Sequence, residues 1–589
     1  MEENINKKIA FFIKVFSILA GLCLAALYLA PLQAALIALV ERVKGDDIRD
    51  VFWKQQMIAF ATCGILFLAI LNLVLWTKKG RDVFGGFCAA VKQECSFVIQ
   101  NKKYFIFLLA AYSLGYFTII RGNFCYIAID DLTRQLEGCR EWVNWYRYID
   151  EFGSILLHTS TRLMDIAPLT QFIAIFFVAL ASFVAVQAAT DKKMGWFACI
   201  ASLPIGLFPY FLTNIAYRFD SPYMAISVCA CVIPFVFREN KATYAIASVL
   251  GVLAMCTSYQ ASSGIYIVFT MFVVVKMILD NENWKEIGCF VLISICCYAA
   301  TLIFFKLTFM EREFKPGTID ERTDLAYVAR NAVKYMTTIW TGFKGTLARP
   351  LFIIAALTNV AATIAVSKKS KAASVLSTLL FYALAIPLSF GVYIAMAEPS
   401  WRPRGMYGIA SFVAASMLLL FINSEKANKA VRIFGRVLVF AVSYCFMAFA
   451  FAYGNAQFEQ VKYAEFRSRL LANDLATVMK DYDNSQEAEI IFCNGIDYAP
   501  AVKNLINVYP LAGLCVDTYC MGDSYTQWIL AAIGIVERTS DDDQAPADLS
   551  LPVLHETRYH KIQGHGNRYL VTFKNESVKV KGTGDFVTE

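Results

Sequence analysis

Long apolar stretches alternate with short polar connections along this chain as far as residue 453, and the pattern then changes. A helix needs roughly 17–25 apolar residues to cross the hydrocarbon of a bilayer. Runs of that kind predict about thirteen membrane spans, at 15–40, 57–76, 104–120, 168–189, 196–213, 222–237, 242–257, 264–279, 287–305, 350–366, 373–396, 406–422 and 434–453. Beyond them Gln457 to Asp481 reads as a polar, charged helix. A strand-like run follows at Glu489–Cys493, then helical patterns near 499–508 and 524–534, and a terminal strand at Tyr569–Phe573. The expected fold class is therefore an α-helical polytopic membrane protein with a small α/β domain at its C-terminal end. The expected division is an N-terminal two-span extension at 1–100, a transmembrane core at 101–454 and the α/β domain at 455–589.

Composition agrees with the pattern. Hydrophobic residues make up 58% of the 589 positions and charged residues only 17%, against about 25% charged in soluble chains. The net charge of +7 sits largely in short connections and so speaks of topology, not of nucleic-acid binding. Most of the 17 cysteines lie in apolar segments, where they act as small hydrophobes. With four histidines and no CxxC pair, no dedicated metal site is expected. Cys515 and Cys520 stand close enough in sequence to pair in an oxidising compartment. The opening MEENINKKIAFFIKVF runs into apolar sequence without a small-residue cleavage site, so it is read as a retained first span.

Lys and Arg mark every second connection, for example Lys192 with Lys193, Arg238 with Lys241, and Lys426 with Lys429 and Arg432. By the positive-inside rule these connections and the N-terminus face the cytoplasm, and an odd span count puts the C-terminus outside. The outer face then carries the loop 121–167, the turn Tyr217–Pro222, the turn Ser258–Gln260, the loop 306–349 and the turn Glu398–Arg404. In loop 306–349 the stretch Asp324–Trp340 places Leu325, Val328, Ala332, Tyr335 and Ile339 near helical spacing, as in an interfacial helix.

The outer loop 121–167 is the densest in chemistry. Asp130 and Asp131 open it, with Arg134 a turn later. Neighbouring carboxylates cannot share one helix face, so one at most points into a cavity, where it would serve as a base for an acceptor hydroxyl. The plainer reading is a solvated acidic turn capping a helix. Arg218 and Asp220 flank Phe219 in a short turn; they suit either a structural ion pair or phosphate recognition by guanidinium. Gln260 suits either a sugar hydroxyl or a helix carbonyl. Arg402 and Arg404 run against the positive-inside trend, through headgroup snorkelling or capture of a lipid-linked phosphate. Trp142, Trp145 and Tyr146 read as an interfacial belt or a platform for sugar faces. Asp165, just before Pro168, suits a cap, and His158 stands alone.

Several of these stretches resemble the GtrII-type glucosyltransferase family. They are Arg121-Gly122-Asn123-Phe124, Asp130-Asp131-Leu132-Thr133-Arg134, Gly138, Trp142, Arg147 and Asp165-Ile166-Ala167-Pro168-Leu169. Pro209-Tyr210-Phe211-Leu212, Tyr217-Arg218-Phe219-Asp220-Ser221-Pro222, Tyr259-Gln260 and Arg404-Gly405 complete the set, over roughly residues 100–420. The resemblance implies a GT-C-like membrane enzyme that takes a hexose, typically glucose, from a polyprenyl-phosphate carrier. The acceptor would be a surface polysaccharide such as O-antigen or a cell-wall glycan. It also implies that Asp130 or Asp131 is the catalytic base. Two features depart from the family: two spans precede its usual start, and its Gly/Ser-Arg pairing stands here as Tyr146-Arg147.

The leading expectation is thus an inverting, metal-independent hexosyl transfer at the outer face of the plasma membrane, without a cofactor. Arg218, Arg402 and Arg404 would hold the leaving phosphate; Arg134, Arg147, Asp165, Asp220 and Gln260 would bind or orient substrate. The expected partners are the polyprenyl-phosphate sugar, the polysaccharide acceptor and the bilayer, with no nucleic acid. The rival is a transporter or flippase of lipid-linked sugars, which would set its ionisable groups near mid-bilayer and not at the outer rim. A third reading, a non-catalytic scaffold, makes the C-terminal domain the working part.

Overall fold

A computed structural model describes residues 2–44, 50–122, 129–310, 324–367, 370–480, 488–518, 531, 534 and 548–576. The expected helix near 524–534, Cys520, and residues 123–128 and 311–323 of the two long loops lie outside this set, apart from Ala531 and Gly534.

The membrane core is helical. Nine helices among the described residues are long and apolar enough to cross a membrane, from Lys54–Trp76 to Lys429–Val478. The other four expected spans are less regular. Two are helix pairs, Lys14–Ala26 with Ala30–Leu39 and Trp196–Leu207 with Pro209–Ala216, bent by 83° and 62°. Two are shorter apolar helices, Ser221–Phe237 and Lys241–Cys256. A count of thirteen crossings therefore does not follow from length and apolarity alone. Polar caps start many helices: Asn240, Asn283, Asp324, Ser370 and Asn428 each accept a backbone N–H from the first turn. Helices Leu169–Ala189 and Ile409–Lys426 are mostly enclosed, whereas Lys54–Trp76 presents most of its surface outward.

Two glycines set how tightly the site-bearing end closes. A Cβ on Gly264 would lie 2.0 Å from the carbonyl oxygen of Ser389, and one on Gly408 only 1.9 Å from it. The bend after helix Lys371–Leu388 is thus clasped between the helices that follow Gln260 and Arg404. The helix expected over Asp324–Trp340 is present as Leu325–Gly342, capped by Asp324.

The backbone is helical straight across residue 455. Helix Lys429–Val478 runs unbroken for 50 residues, so the last apolar span and the polar helix are one rod, about 75 Å long at 1.5 Å per residue. Its distal half packs on a four-stranded sheet of β1 (Glu489–Phe492), β2 (Val553–Glu556), β3 (His560–His565) and β4 (Arg568–Phe573), in the order β1-β4-β3-β2. β1 pairs parallel with β4, bringing Ile491 opposite Leu570; the other pairings are antiparallel. Leu471, Leu475, Ile490, Phe492, Ile562, Val571 and Phe573 form the core of this unit, and Leu132 joins them. A second segment reaches into the main core, where Val502, Leu511, Ala512, Cys515 and Val516 are buried. Leu511 donates its N–H to the Gly342 carbonyl at 3.1 Å, and Tyr453 donates its hydroxyl to the Cys515 carbonyl at 3.2 Å.

Candidate functional site

The two carboxylates of helix Ile129–Glu137 separate as their spacing requires. Asp131 is fully buried and accepts the backbone N–H of Arg218 at 2.8 Å and of Phe219 at 3.3 Å. It holds the Tyr217–Pro222 turn in place. Burial and the nearby charge of Asp220 push its carboxyl up to about 7, against the pull of those two N–H groups and Arg134. Leu132, the next residue, is anchored in the sheet unit, so the helix is gripped from both sides.

Asp130 takes a different partner. Its side chain is 39% exposed, and its Oδ2 lies 2.8 Å from Nη1 of Arg404. Burial raises its pKa, but the guanidiniums of Arg404, Arg134 and Arg147 prevail and hold it below the ordinary carboxylate range. Arg404 also stacks over the Tyr217 ring at 4.7 Å. Arg402, two residues earlier, is exposed at the start of the short helix Pro403–Met406.

The Arg218–Asp220 pair suggested by their spacing does not form; the two exchange partners. Arg218 pairs with Asp165 at 2.8 Å, and Asp165 also accepts the Ala167 N–H at 3.1 Å. Asp220 instead pairs with Arg134 and accepts the Trp142 indole N–H at 2.6 Å. Arg134 lies 4.4 Å above the Trp142 ring. Trp142 is therefore neither belt nor platform: it is fully buried, whereas Trp145 is exposed. Asp165 and Asp220 are each spent on fixing an arginine, and this ties residues 129–167 of the loop to the Tyr217–Pro222 turn.

Gln260 donates its amide to the carbonyls of Cys256 at 2.9 Å and Trp145 at 3.1 Å, which ties the loop to the next turn. Arg147 stacks on Tyr259 at 4.5 Å, and Tyr259 stacks on Tyr407 at 6.1 Å. His158 is structural: it accepts the Met164 N–H through Nδ1 and stacks on Phe219.

Two acidic residues escaped sequence reasoning. Asp150, in helix Tyr148–His158, is 1% exposed, and burial drives its carboxyl well above the ordinary range. Its signal was present, three residues after Arg147 in the loop already singled out. Asp517 follows the segment docked on the core and feels both Arg402 and Arg404, although burial raises its pKa. No local pattern marks it.

Asp130, Asp131, Arg134, Arg147, Asp220, Arg404 and Asp517 thus meet, directly or through shared charge, at one end of the bundle. Such an array can accept a proton beside clustered guanidiniums that suit a phosphate. Among the described residues no group of His, Cys, Asp and Glu is arranged to hold a metal ion.

None of the solved structures matches the chain. A stretch of 163 residues is 27% identical to a Salmonella phage P22 protein described as "Uncharacterized 55.3 kDa protein in gtrB 5'region". The match covers 27% of this chain and 33% of that protein, so the chain spans about a third of that relative's length. The family model described as Glucosyl transferase GtrII matches residues 122–421. That is half of the chain, and it takes in every residue from Asp130 to Arg404 named above. The chain belongs to the GtrII glucosyl transferase family.

Proposed function

We propose that this membrane protein transfers a glucosyl residue from a polyprenyl-phosphate carrier to a surface polysaccharide such as O-antigen. In this reading the site faces the outside of the plasma membrane, the N-terminus lies in the cytoplasm and the C-terminal domain lies outside. The alternation of basic connections supports that orientation. Residues 1–100 form an N-terminal extension, 101–454 a GT-C-like core and 455–589 the extracytoplasmic domain.

The observation that carries the mechanism is the division of labour in the Asp130–Asp131 pair. Both Asp131 oxygens accept backbone N–H groups, whereas Asp130 is half-exposed and commits Oδ2 to Arg404. Asp130 is the base. The acceptor hydroxyl oxygen attacks the anomeric carbon, its proton passes to Asp130, and the carbon–phosphate oxygen bond breaks with inversion. The polyprenyl phosphate leaves as a monoester dianion. Arg404 is placed to follow that charge, with Arg402 and Arg218 supporting it; preorganised cations are worth most where charge develops. Arg134, Asp220 and Asp165 orient the loop and its arginines, Gln260 locks the loop to the neighbouring turn, and Arg147 meets substrate.

The test compares Asp130→Asn with Asp131→Asn in the purified full-length protein, using polyprenyl-phosphate glucose and polysaccharide from expressing cells. Asp130→Asn should lower kcat by about 10²- to 10⁴-fold, the usual worth of a general base. Full activity in that variant would remove Asp130 from the role.

A further inference from the structure

Behind the Arg134–Asp220 pair lie four buried polar atoms without a hydrogen-bond partner: Arg147 Nε, Asp150 Oδ1, Ser221 Oγ and Tyr223 OH. Ser221 is fully buried, and Asp150 and Tyr223 are nearly so. Buried polar groups are almost always satisfied, so several orphans in one place call for an explanation. Three of them belong to one charge cluster: Tyr223 feels Asp150, Asp220 and Arg134, and Asp150 feels Arg147. Ser221 and Tyr223 follow Asp220 in the chain, and the Tyr223 ring meets Trp142 edge-on at 5.5 Å. Asp150 sits one turn after Arg147, and a Cβ on Gly153 of the same helix would lie 3.3 Å from the Tyr223 ring. Asp150 feels the charge of Asp220 and of Arg147, and Arg147 in turn feels Asp130.

We propose that Arg147, Asp150, Ser221 and Tyr223 form the subsite that reads the hydroxyl groups of the transferred hexose, with Asp150 and Tyr223 as specificity-determining residues. This rests on the glycosyl-transfer reading and deepens it. The chemistry of the set selects the ligand. A carboxyl group, a phenol, an aliphatic hydroxyl and a guanidinium N–H together offer both donors and acceptors. A hexose presents hydroxyls that both donate and accept, so it satisfies all four. A phosphate only accepts, so it would leave the acceptor oxygens of the carboxyl and hydroxyl groups unmet. The subsite is also in the right place, because Arg147 links it electrostatically to Asp130. The four atoms are closed off from solvent, so a sugar enters by moving helix Tyr148–His158 off Tyr223. That helix is flanked by two left-handed residues, Tyr146 (φ 60°) and Thr159 (φ 51°).

The experiment uses the full-length protein in lipid nanodiscs with polyprenyl-phosphate glucose, galactose and mannose as donors. The readouts are kcat/KM for each donor and inhibition by polyprenyl phosphate alone. Asp150→Asn and Tyr223→Phe should each reduce the preference for the favoured hexose by about 5- to 10-fold, the worth of one hydrogen bond. Inhibition by the bare lipid phosphate should stay unchanged. Tyr223→Phe retains the ring between Trp142 and Gly153, so it tests the hydroxyl even if Asp150→Asn fails to fold. An unchanged donor preference in Tyr223→Phe overturns the subsite, as does an equal loss of lipid-phosphate inhibition. Wild-type protein that transfers from none of the three donors overturns the reaction itself, a result distinct from either.

Discussion

Asp130 and Arg404 stand 274 residues apart in the chain and meet at 2.8 Å at one end of the helical bundle. The contact joins the first turn of one short helix to the turn that leads into helix Ile409–Lys426. It sets a carboxylate beside a fixed positive charge, the pairing that a proton acceptor and a departing phosphate need. Replacing Arg404 with Lys keeps the charge but loses the planar fork. Arg404→Lys should therefore retain membrane insertion while kcat falls by roughly 10²-fold or more, as with removal of an oxyanion donor. Donor turnover by the purified variant checks this.

The pH profile separates the two aspartates. With Asp130 as base, kcat/KM should hold as pH falls through neutrality and decline only below the ordinary carboxylate range, because Arg404 and its neighbours lower that group's pKa. With Asp131 as base the acid limb would appear near pH 7, since its carboxyl is pushed up to about 7. The expected profile is flat across pH 6–8, and a limb centred at 7 would transfer the role to Asp131.

Asp131 bears on stability with the opposite sign. Its folded-state pKa lies above the unfolded value, so the folded chain binds its proton more tightly. Stability therefore falls as pH rises from about 4, the unfolded value, to about 7. Asp131→Asn should flatten that slope in thermal denaturation. Asp131→Ala should cost about 2–4 kcal/mol, because the Arg218 and Phe219 N–H groups lose their acceptor.

Asp517 opposes an incoming phosphate at Arg402 and Arg404, whose charges it feels. Asp517→Asn removes that opposition. Inhibition by free polyprenyl phosphate should tighten by roughly 3- to 10-fold, as one screened charge at short range allows, with the melting temperature unchanged.

Gly408→Ala should destabilise the site-bearing end, since the new methyl group would meet the Ser389 carbonyl at 1.9 Å. A lower melting temperature together with lost activity is the expected pair of results.

Much of the molecule was legible in its sequence. The apolar runs mark the helices, because span length follows from bilayer thickness. The different partners of Asp130 and Asp131 follow from the angle of about 100° that separates neighbouring helical positions. The outer turns were expected to converge, and Arg404 does reach Asp130. Partner choice was not legible. Arg218 binds Asp165 and Asp220 binds Arg134 because the turn and the loop pack at one angle, which neighbouring residues do not encode. Trp142 looked like an interfacial residue by type, but its indole N–H is spent inside, on Asp220. Asp517 is brought to the arginines by a segment that carries no motif.

That segment also fixes when the site comes into being. Leu132, beside the proposed base, is seated in a core whose other members begin at Ala464, and Asp517 arrives later still. A ribosome has made most of the chain before either reaches its place. The helices can enter the membrane one after another, but the mouth of the bundle waits for the last strands. Growing chains would therefore enter the membrane before Leu132 gains its packing partners and before Asp517 reaches the arginines.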